Sequence, residues 1–489
     1  MNARYAVLLD TVSIQKYIFQ SNQLKENLGA SFLVEEIYQN CSQDNEIFKV
    51  GYIGGGNALL LFAEEATAKK FIQDWTRSLL IDAPGIVTAV ALGEFDFNHF
   101  CDSKEKLFQQ LREHKSMYVP ETVIPRHGIT AECSHSGYSM DIWNEQIKEY
   151  VSAGSHAKLE AAERSQKAIH QKYKAILKDE FCFTNELEKL GGISGKDSHI
   201  AIVHIDGNDM AERFNAMDSF EKLRALSKTV NDAAENAFRD VLTHSVNRYD
   251  DIMQSLGFDQ YPKDDNKKVL PLRPIVLGGD DITFVCDGKL GIYFSKRFIE
   301  SFEKQPVSDK QKLTACAGVA IIKTKYPFYR GYELADALCG NAKQKRRKNG
   351  DSCSYLDFHI SMSGLAGTLE EIRKKYVNAY QQNLIYRPYK LTDQWDEYGF
   401  DLFLKNTAFL RKEIPNTKIH ELRQVLTLSE EAAKQFVQEM THRERELPKI
   451  PGRNYHEKLF DNNTTPYLDM IELMEFYPDF ELNEYKGGK

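Results

Sequence analysis

The same order of predicted elements occurs twice in this chain, and this repeat constrains the fold more than any other feature. The first copy opens with an apolar stretch at residues 5–9 that ends at Asp10. A helical pattern, a strand–glycine turn–strand segment, a second helical pattern and another apolar strand follow it. The same series returns between residues 200 and 322, in the second copy. The repeat therefore predicts two related domains that each combine helices with a sheet.

The limits of the repeat divide the chain into four predicted regions. The first copy takes residues 1–100 and the second copy takes residues 196–360. Residues 101–195 are predicted to be a linker, with a loop at 118–141 and helices over most of 143–190. Residues 361–489 are predicted to be a helical C-terminal region, with helices at 365–386, 401–411 and 418–440. Ser429, ahead of Glu430 and Glu431, fits a helix start.

Composition excludes several classes of protein. Hydrophobic residues make up 42% of the 489 residues and charged residues 27%, which is typical of a folded globular chain. A net charge of −8 argues against a uniformly basic surface that coats nucleic acid. The apolar run at 58–63 is far shorter than the roughly 18 residues that cross a bilayer. The eight cysteines form no CxxC pair, so we expect reduced thiols and a cytoplasmic protein without a membrane segment.

The two copies differ at their glycine turns. Gly54-Gly55-Gly56-Asn57 in the first copy aligns with Gly278-Gly279-Asp280-Asp281 in the second. The first copy has thus lost both carboxylates, while the second has kept them. Because an amide binds Mg²⁺ weakly, we predict that the second copy is the active one and that the first holds the acceptor nucleotide or serves as a scaffold.

Three aspartates of the second copy suit two-metal nucleotidyl transfer. That chemistry needs carboxylates from separate strands that converge on two Mg²⁺ or Mn²⁺ ions about 3.5–4 Å apart. Asp206 ends one predicted strand, and Asp280 and Asp281 stand at the tip of a hairpin. We predict that these three residues are catalytic and bind the metals, and that the carbonyl of Gly207 completes the oxygen shell.

Two further features fit a nucleotide. Gly278 and Gly279 would let it approach the backbone without a Cβ in the way. Five of the six residues from Lys343 to Lys348 are positively charged, which fits a triphosphate or RNA contact on an acidic chain. We predict that Lys343 and Arg346 bind nucleotide, and we expect Arg346, Arg347 and Lys348 to be more exposed than Lys343.

Each of these signals also has a plainer interpretation. A GGDD sequence alone is usually a polar hairpin turn, and a lone basic run is usually a solvated helix end. The prediction depends on the order of these signals. The chemistry requires a strand that ends in aspartate, then a GGDD hairpin, then a helix and a strand, and then a basic helix, and the chain has them in this order.

The second copy resembles the palm domain of the large polymerase subunit of type III CRISPR effector complexes, a relative of GGDEF nucleotide cyclases. The first copy resembles the degenerate partner palm of the same family. The shared motifs lie at 204–210, 278–281, 315–320, 334–343 and 354–359 in the second copy, and at 10–19, 29–31 and 54–57 in the first. The resemblance implies an α+β fold with two ferredoxin-like palm domains, a helical linker and a helical C-terminal region.

In function, the resemblance implies an enzyme that polymerises ATP into cyclic oligoadenylate with two divalent metals. Carried onto this sequence, Asp206, Asp280 and Asp281 are metal ligands, Gly207 contributes its carbonyl, Gly278 and Gly279 lie against nucleotide, and Lys343 contacts phosphate. The implied partners are ATP, RNA or CRISPR-type effector subunits, and a second copy of the chain.

Three departures from the family pattern are visible. Asn208 stands where family palms often carry a second aspartate, which removes a fourth metal ligand. Cys133 and His135 lie where relatives can carry zinc cysteines, but one Cys and one His cannot close a tetrahedral site. No His-Asp nuclease motif precedes the first copy, so we expect a stand-alone form.

Two other functions stay open at this stage. The chain could be a non-catalytic scaffold that binds nucleotide or RNA in an RNA-guided complex. It could also be a synthase that makes a cyclic dinucleotide from GTP. Phe214, near the position where GGDEF relatives read guanine, favours adenine over guanine.

Overall fold

A computed structural model describes residues 3–39, 41–117, 128–191, 198–258, 262–362, 367–392, 396 and 398–484. The fold is α+β, as predicted. The described residues form one large sheet in each copy, with helices around it, and two smaller sheets of three and two strands. Residues 118–127 of the loop predicted at 118–141 lie outside the described residues.

The first copy is a four-stranded antiparallel sheet with helices on both faces. The sheet has the order β2-β3-β1-β4. Its elements are β1 (Tyr5–Val12), α1 (Ile14–Ile18), α2 (Leu24–Gln39), β2 (Lys49–Gly54), β3 (Asn57–Phe62), α3 (Glu65–Asp82), β4 (Val87–Glu94) and α4 (Phe100–Lys115).

Strand β1 is buried on both sides because the two faces of its sheet have separate cores. Val7 and Leu9 pack with α2 and α3, whereas Ala6 and Leu8 pack with α4 through Leu107. Alternate residues of a strand point to opposite faces of the sheet. Because helices cover both faces, every residue of this strand segment is apolar. Helix α4, which we had placed in the linker, therefore packs on the sheet of the first copy.

The linker region contains short strands as well as helices, which corrects the mainly helical prediction. Its elements are β5 (Ile142–Asn144), β6 (Glu149–Val151), α5 (Ala153–Lys172), α6 (Lys174–Leu177) and β7 (Phe181–Cys182). Helix α5 packs closely on α2, because Gly29 has no side chain and lets the backbone carbonyl of Lys158 approach.

The second copy is built on a six-stranded sheet with the order β11-β12-β8-β13-β14-β15. Helix α11 provides the crossover that the parallel pair β13–β14 needs. The elements are β8 (His199–Gly207), α7 (Met210–Asn215), α8 (Phe220–Asn247), α9 (Tyr249–Leu256), β9 (Lys263–Asp264), β10 (Lys267–Val269), β11 (Leu272–Gly278), β12 (Asp281–Asp287), α10 (Gly291–Glu303), β13 (Ala315–Lys323), α11 (Phe328–Asn349) and β14 (Ser354–Ile360).

The two copies share strand order and hairpin details. In each, the hairpin pairs with the opening strand, which pairs in turn with the strand after the next helix. The register of the hairpin shifts between Val50 and Tyr52 in the first copy and between Pro274 and Val276 in the second. These positions are equivalent when the glycine turns are aligned, so the copies agree even in an irregularity.

The C-terminal region is helical apart from one strand, β15, which extends the sheet of the second copy by pairing with β14. Ser429 caps a helix as predicted, since its Oγ accepts from the amide of Ala432. The elements are α12 (Leu369–Lys374), β15 (Tyr389–Leu391), α13 (Phe400–Glu413), α14 (Asn416–Val425), α15 (Glu430–His442), α16 (Tyr455–Lys458), α17 (Tyr467–Glu475) and α18 (Asp479–Glu484).

The structure refines two of the helix predictions. The helix predicted at 365–386 is only α12, because the Asn378 side chain accepts from the amides of Tyr380 and Gln382 and closes a turn there. The first helical pattern of the second copy consists of two helices, α7 and α8, and Ser219 caps α8 through the amide of Lys222.

Candidate active site

Asp206 and Asp281 face each other across neighbouring strands. They are paired Cα partners in the antiparallel ladder between β8 and β12. Directly opposed residues in such a ladder have side chains on the same face of the sheet, a few ångströms apart. The strand pairing therefore brings together two of the predicted metal ligands from sequence positions 75 residues apart.

Asp280 joins them through the backbone of Gly207. The amide of Gly207 donates to the carbonyl of Asp280 over 2.9 Å. A Cβ on Gly207 would lie 2.8 Å from the Cβ of Asp280, so only glycine allows the hairpin to come this close. Burial, and then the charge of Asp206, raise the pKa of Asp280 to about 7. The carboxylates thus lie near enough to disfavour joint ionisation.

The carboxylate of Asp281 is held on both sides. Gln15 of the first copy donates from Nε2 to Asp281 Oδ2 over 2.5 Å. His204 Nδ1 lies 3.5 Å from Asp281 Oδ1, but in the described part of the chain this buried oxygen accepts no hydrogen bond. Burial raises the pKa of Asp281, and the positive field of His204 opposes that rise.

Lys343 is the counter-charge of the site. It lies on α11, and its Nζ stands 2.6 Å from Asp206 Oδ2 and 3.4 Å from the carbonyl oxygen of Gly207. Lys343 thus touches two of the predicted oxygen ligands. Because the lysine side chain is flexible, its ammonium can leave these oxygens and bind phosphate oxygens instead.

Arg346 was expected to be more exposed than Lys343, and this is wrong. It is buried, whereas Lys343 is half-buried, because Arg346 lies four residues after the buried Ala342 on the same helix face. Arg346 binds both carboxylate oxygens of Asp209, Oδ1 over 3.0 Å and Oδ2 over 2.5 Å, and lowers the pKa of that aspartate. Arg347 and Lys348 are exposed, as expected.

The two glycines of the GGDD turn have different roles in the backbone. Gly278 ends β11 and pairs with Asp281 across the hairpin. Gly279 has a φ of +66° and lies in open space, with no atom within 4 Å of a Cβ built on it. The left-handed conformation explains glycine at 279, and the open side leaves room for a ligand.

Asn208 and Phe214 both have partners inside the protein. Asn208 is buried, donates to Thr314 Oγ1 over 3.0 Å and accepts from the thiol of Cys316. Phe214 packs partly buried against the hydrophobic cores of both copies. The structure therefore gives Asn208 an internal partner.

The first copy has an equivalent but weaker site. Asp10 pairs with Asn57 in the ladder, as Asp206 does with Asp281. Lys115 Nζ lies 2.6 Å from Asp10 Oδ2, which parallels the contact of Lys343 with Asp206. Burial raises the pKa of Asp10. One carboxylate and one lysine therefore remain where the second copy has three aspartates and a lysine.

Cys133 and His135 have separate partners. His135 Nδ1 contacts the buried carboxylate of Glu26, and the thiol of Cys133 lies 4.0 Å from Ser155 Oγ. All eight cysteines are free thiols.

The donor set fits a hard divalent cation, although the carboxylate oxygens currently bind protein groups. Within the described ranges, no group of three or more His, Cys, Asp or Glu side chains is arranged to hold a metal ion. Asp206 and Asp281 instead engage Lys343 and Gln15. The orphaned Oδ1 of Asp281 and the raised pKa of Asp280 both indicate negative charge that lacks compensation, and oxygen ligands are those that Mg²⁺ prefers.

The segment that carries this site matches one family model. Residues 199–351 match the model of Cas10/Cmr2, second palm domain. The match starts in β8, includes the GGDD hairpin and ends just after α11. The second copy is thus similar to the second palm domain of Cas10/Cmr2. The resemblance to the polymerase subunit of type III CRISPR complexes is thereby confirmed.

Several solved Csm1–Csm4 structures align with the chain over most of its length. In the cassette bound to pppApApA, identity is 13% and the TM-score 0.44, with 96% of this chain and 69% of the other covered. For the Csm1–Csm4 subcomplex in the type III-A CRISPR-Csm interference complex, identity is 12% and the TM-score 0.41, with 96% of this chain and 70% of the other covered. For the cassette bound to cA4, identity is 13% and the TM-score 0.38, with 90% of this chain and 67% of the other covered.

Two further comparisons are negative. No curated protein matches the chain. Among the described helices, none is long and apolar enough to span a membrane.

Sequence reasoning missed Gln15 and Asp209 beside the predicted acids, and Lys115 at the equivalent place in the first copy. Gln15 lies within the shared motif at 10–19, but that motif does not indicate a contact with Asp281, which is 266 residues away. Asp209 was visible in the sequence as an acid next to Asn208, but its pairing with Arg346 depends on where α11 crosses β8. Lys115 could have been found by aligning α4 with α11.

Proposed function

We propose that the chain is a nucleotidyltransferase that converts ATP into a cyclic oligoadenylate messenger in CRISPR-type antiviral defence. One observation carries the proposal: Asp206, Asp280, Asp281 and Lys343 gather at one end of the sheet within a Cas10/Cmr2 palm domain. A scaffold without turnover has no need to hold three acids together, since their mutual repulsion costs folding free energy.

In this proposal Asp206, Asp280, Asp281 and the carbonyl of Gly207 hold two divalent ions. When bound, the ions activate the attacking 3′-hydroxyl and neutralise charge at the leaving pyrophosphate. Lys343 moves from Asp206 to the phosphates of the nucleotide and stabilises the charge that develops there. The open side of Gly279 receives the incoming ATP, and the hairpin fixes it near the acids.

The first copy binds or orients the acceptor nucleotide. Its Asp10–Lys115 pair offers a cation for phosphate, while Asn57 replaces the aspartate that a second metal site would need. The reaction is the attack of one ATP 3′-oxygen on the α-phosphorus of another ATP. The bond from that phosphorus to the β-phosphate oxygen breaks, and pyrophosphate leaves.

The test is incubation of the purified protein with each of the four NTPs and Mg²⁺ or Mn²⁺, alone and with candidate RNA, followed by mass spectrometry. Cyclic adenylates from ATP support the proposal. A cyclic dinucleotide from GTP would make the chain a synthase of a different product. Nucleotide binding without any product under all these conditions would make it a scaffold.

A further inference from the structure

The first copy reaches into the active site of the second through one side chain. Gln15 lies on α1, and its Nε2 donates to Asp281 Oδ2 over 2.5 Å. This direct hydrogen bond joins a side chain of the first copy to one of the three aspartates of the second. It lies at the boundary between the copies, so neither copy alone contains the complete arrangement.

Helix α1 is only five residues long, but it is anchored at several points. Ile14 packs over Gly56 so closely that a Cβ there would lie 2.1 Å from the Ile14 Cδ1. The buried ammonium of Lys158 donates to the carbonyl of Tyr17 over 2.9 Å and lies 4.3 Å from the centre of its ring. These contacts fix α1 against the first copy and the linker.

A third contact anchors α1 to the helix that carries Lys343. The ring of Phe19 stacks on Tyr332 of α11, with centroids 3.7 Å apart and planes 19° from parallel. Tyr332 also packs edge-on against His204, the neighbour of Asp281. These contacts therefore fix the position of Gln15 relative to both Asp281 and helix α11, which carries Lys343.

We propose that Gln15 is a positioning residue that orients the carboxylate of Asp281 for cation binding, so that the two copies form one catalytic unit. A carboxylate has two oxygens that can rotate about χ2, and a donor fixed on one oxygen selects a single orientation. This role deepens the proposed function and rests on it for its catalytic part. The metal-binding part can be measured without turnover.

The experiment compares Gln15→Met and Gln15→Glu with Lys16→Met in the full chain. Gln15→Met keeps the length of the side chain and removes the donor, and Gln15→Glu sets a second charge against Asp281. Lys16 is exposed on the same helix, so its replacement tests general damage to α1. Readouts are kcat and KM for ATP, the Kd of Mn²⁺ alone by calorimetry, and the melting temperature.

We expect Gln15→Met to lower kcat and to weaken Mn²⁺ binding, each by about ten- to a hundredfold, while KM for ATP changes by less than about threefold. Gln15→Glu should be more damaging to kcat, and Lys16→Met should match the wild type. Wild-type Mn²⁺ affinity in Gln15→Met would overturn the role of Gln15, whatever the catalytic result.

Failure of the proposed function looks different. If the wild type makes no product from any NTP but Mn²⁺ binding still depends on Gln15, the proposed reaction is wrong and the positioning role stands. If the wild type binds no Mn²⁺, or if Lys16→Met is as damaging as Gln15→Met, the positioning role is wrong.

Discussion

Lys343 Nζ lies 2.6 Å from Asp206 Oδ2, and this pair links the basic helix α11 to the strand that carries the first acid of the site. The contact neutralises one of three clustered carboxylates. It also places the ammonium where phosphate oxygens would meet the same acids.

We expect Lys343→Ala to lower kcat/KM for ATP by about ten- to a thousandfold, because a point charge on the developing pyrophosphate is lost. Lys348→Ala is the matched control, since Lys348 is exposed at the end of the same helix. Its effect should be small and should fade as salt rises. Initial rates over a salt series measure both, and a silent Lys343→Ala beside a severe Lys348→Ala would move the phosphate site to the helix end.

Asp280→Asn combined with Asp281→Asn should abolish product formation. The matched control is Asp287→Asn, a change of the same kind at the far end of β12, which should leave activity intact. Turnover in the double variant would contradict the assignment of the acids.

The Asp280→Asn variant should also change the pH dependence of stability. The folded pKa of Asp280, about 7, lies above its ordinary value of 3.8, so its ionisation destabilises the fold as pH rises between these values. Without divalent metal, the melting temperature of Asp280→Asn should exceed that of the wild type by more at pH 8 than at pH 5. An equal difference at both pH values would mean that the pKa of Asp280 is not raised in the folded protein.

Asn57→Ala should reduce activity by no more than about threefold, because the first copy offers no carboxylate at this position. Asn57 Oδ1 is buried and has no hydrogen-bond partner in the described part of the chain, so stability should not fall. Rates and melting curves measure both effects. A loss as complete as that in the Asp280/Asp281 variant would show that the first copy takes part in the chemistry.

His359 should make the fold sensitive to acid. Burial, together with the charges of Arg387 and Arg373, lowers its pKa to about 3 from an ordinary 6.5. The unfolded chain therefore binds a proton below pH 6.5 that the folded chain does not, and stability is lost as pH falls from there. His359→Leu should lose less melting temperature between pH 7.5 and pH 4.5 than the wild type. His442→Leu, a change at an exposed histidine, should not flatten this dependence.

Local sequence patterns were enough to identify the repeat and the three acids. The apolar strand that ends in Asp206 and the GGDD turn are local patterns, and pairing of a hairpin with a neighbouring strand is enough to bring Asp206 opposite Asp281. The glycine at 279 could be explained in the same way, because a tight turn with positive φ selects glycine.

The side chains that compensate those acids could be identified only from the packing of distant elements. Arg346 reads as one more charge in a basic run, but the crossing of α11 over β8 buries it against Asp209 and leaves Lys343 to face Asp206. Gln15 reads as a surface glutamine, yet the packing of the two copies sets it on Asp281. Such contacts depend on the relative placement of elements far apart in the chain, which propensity and periodicity do not encode, and so the sequence predicted the ligands but not their partners.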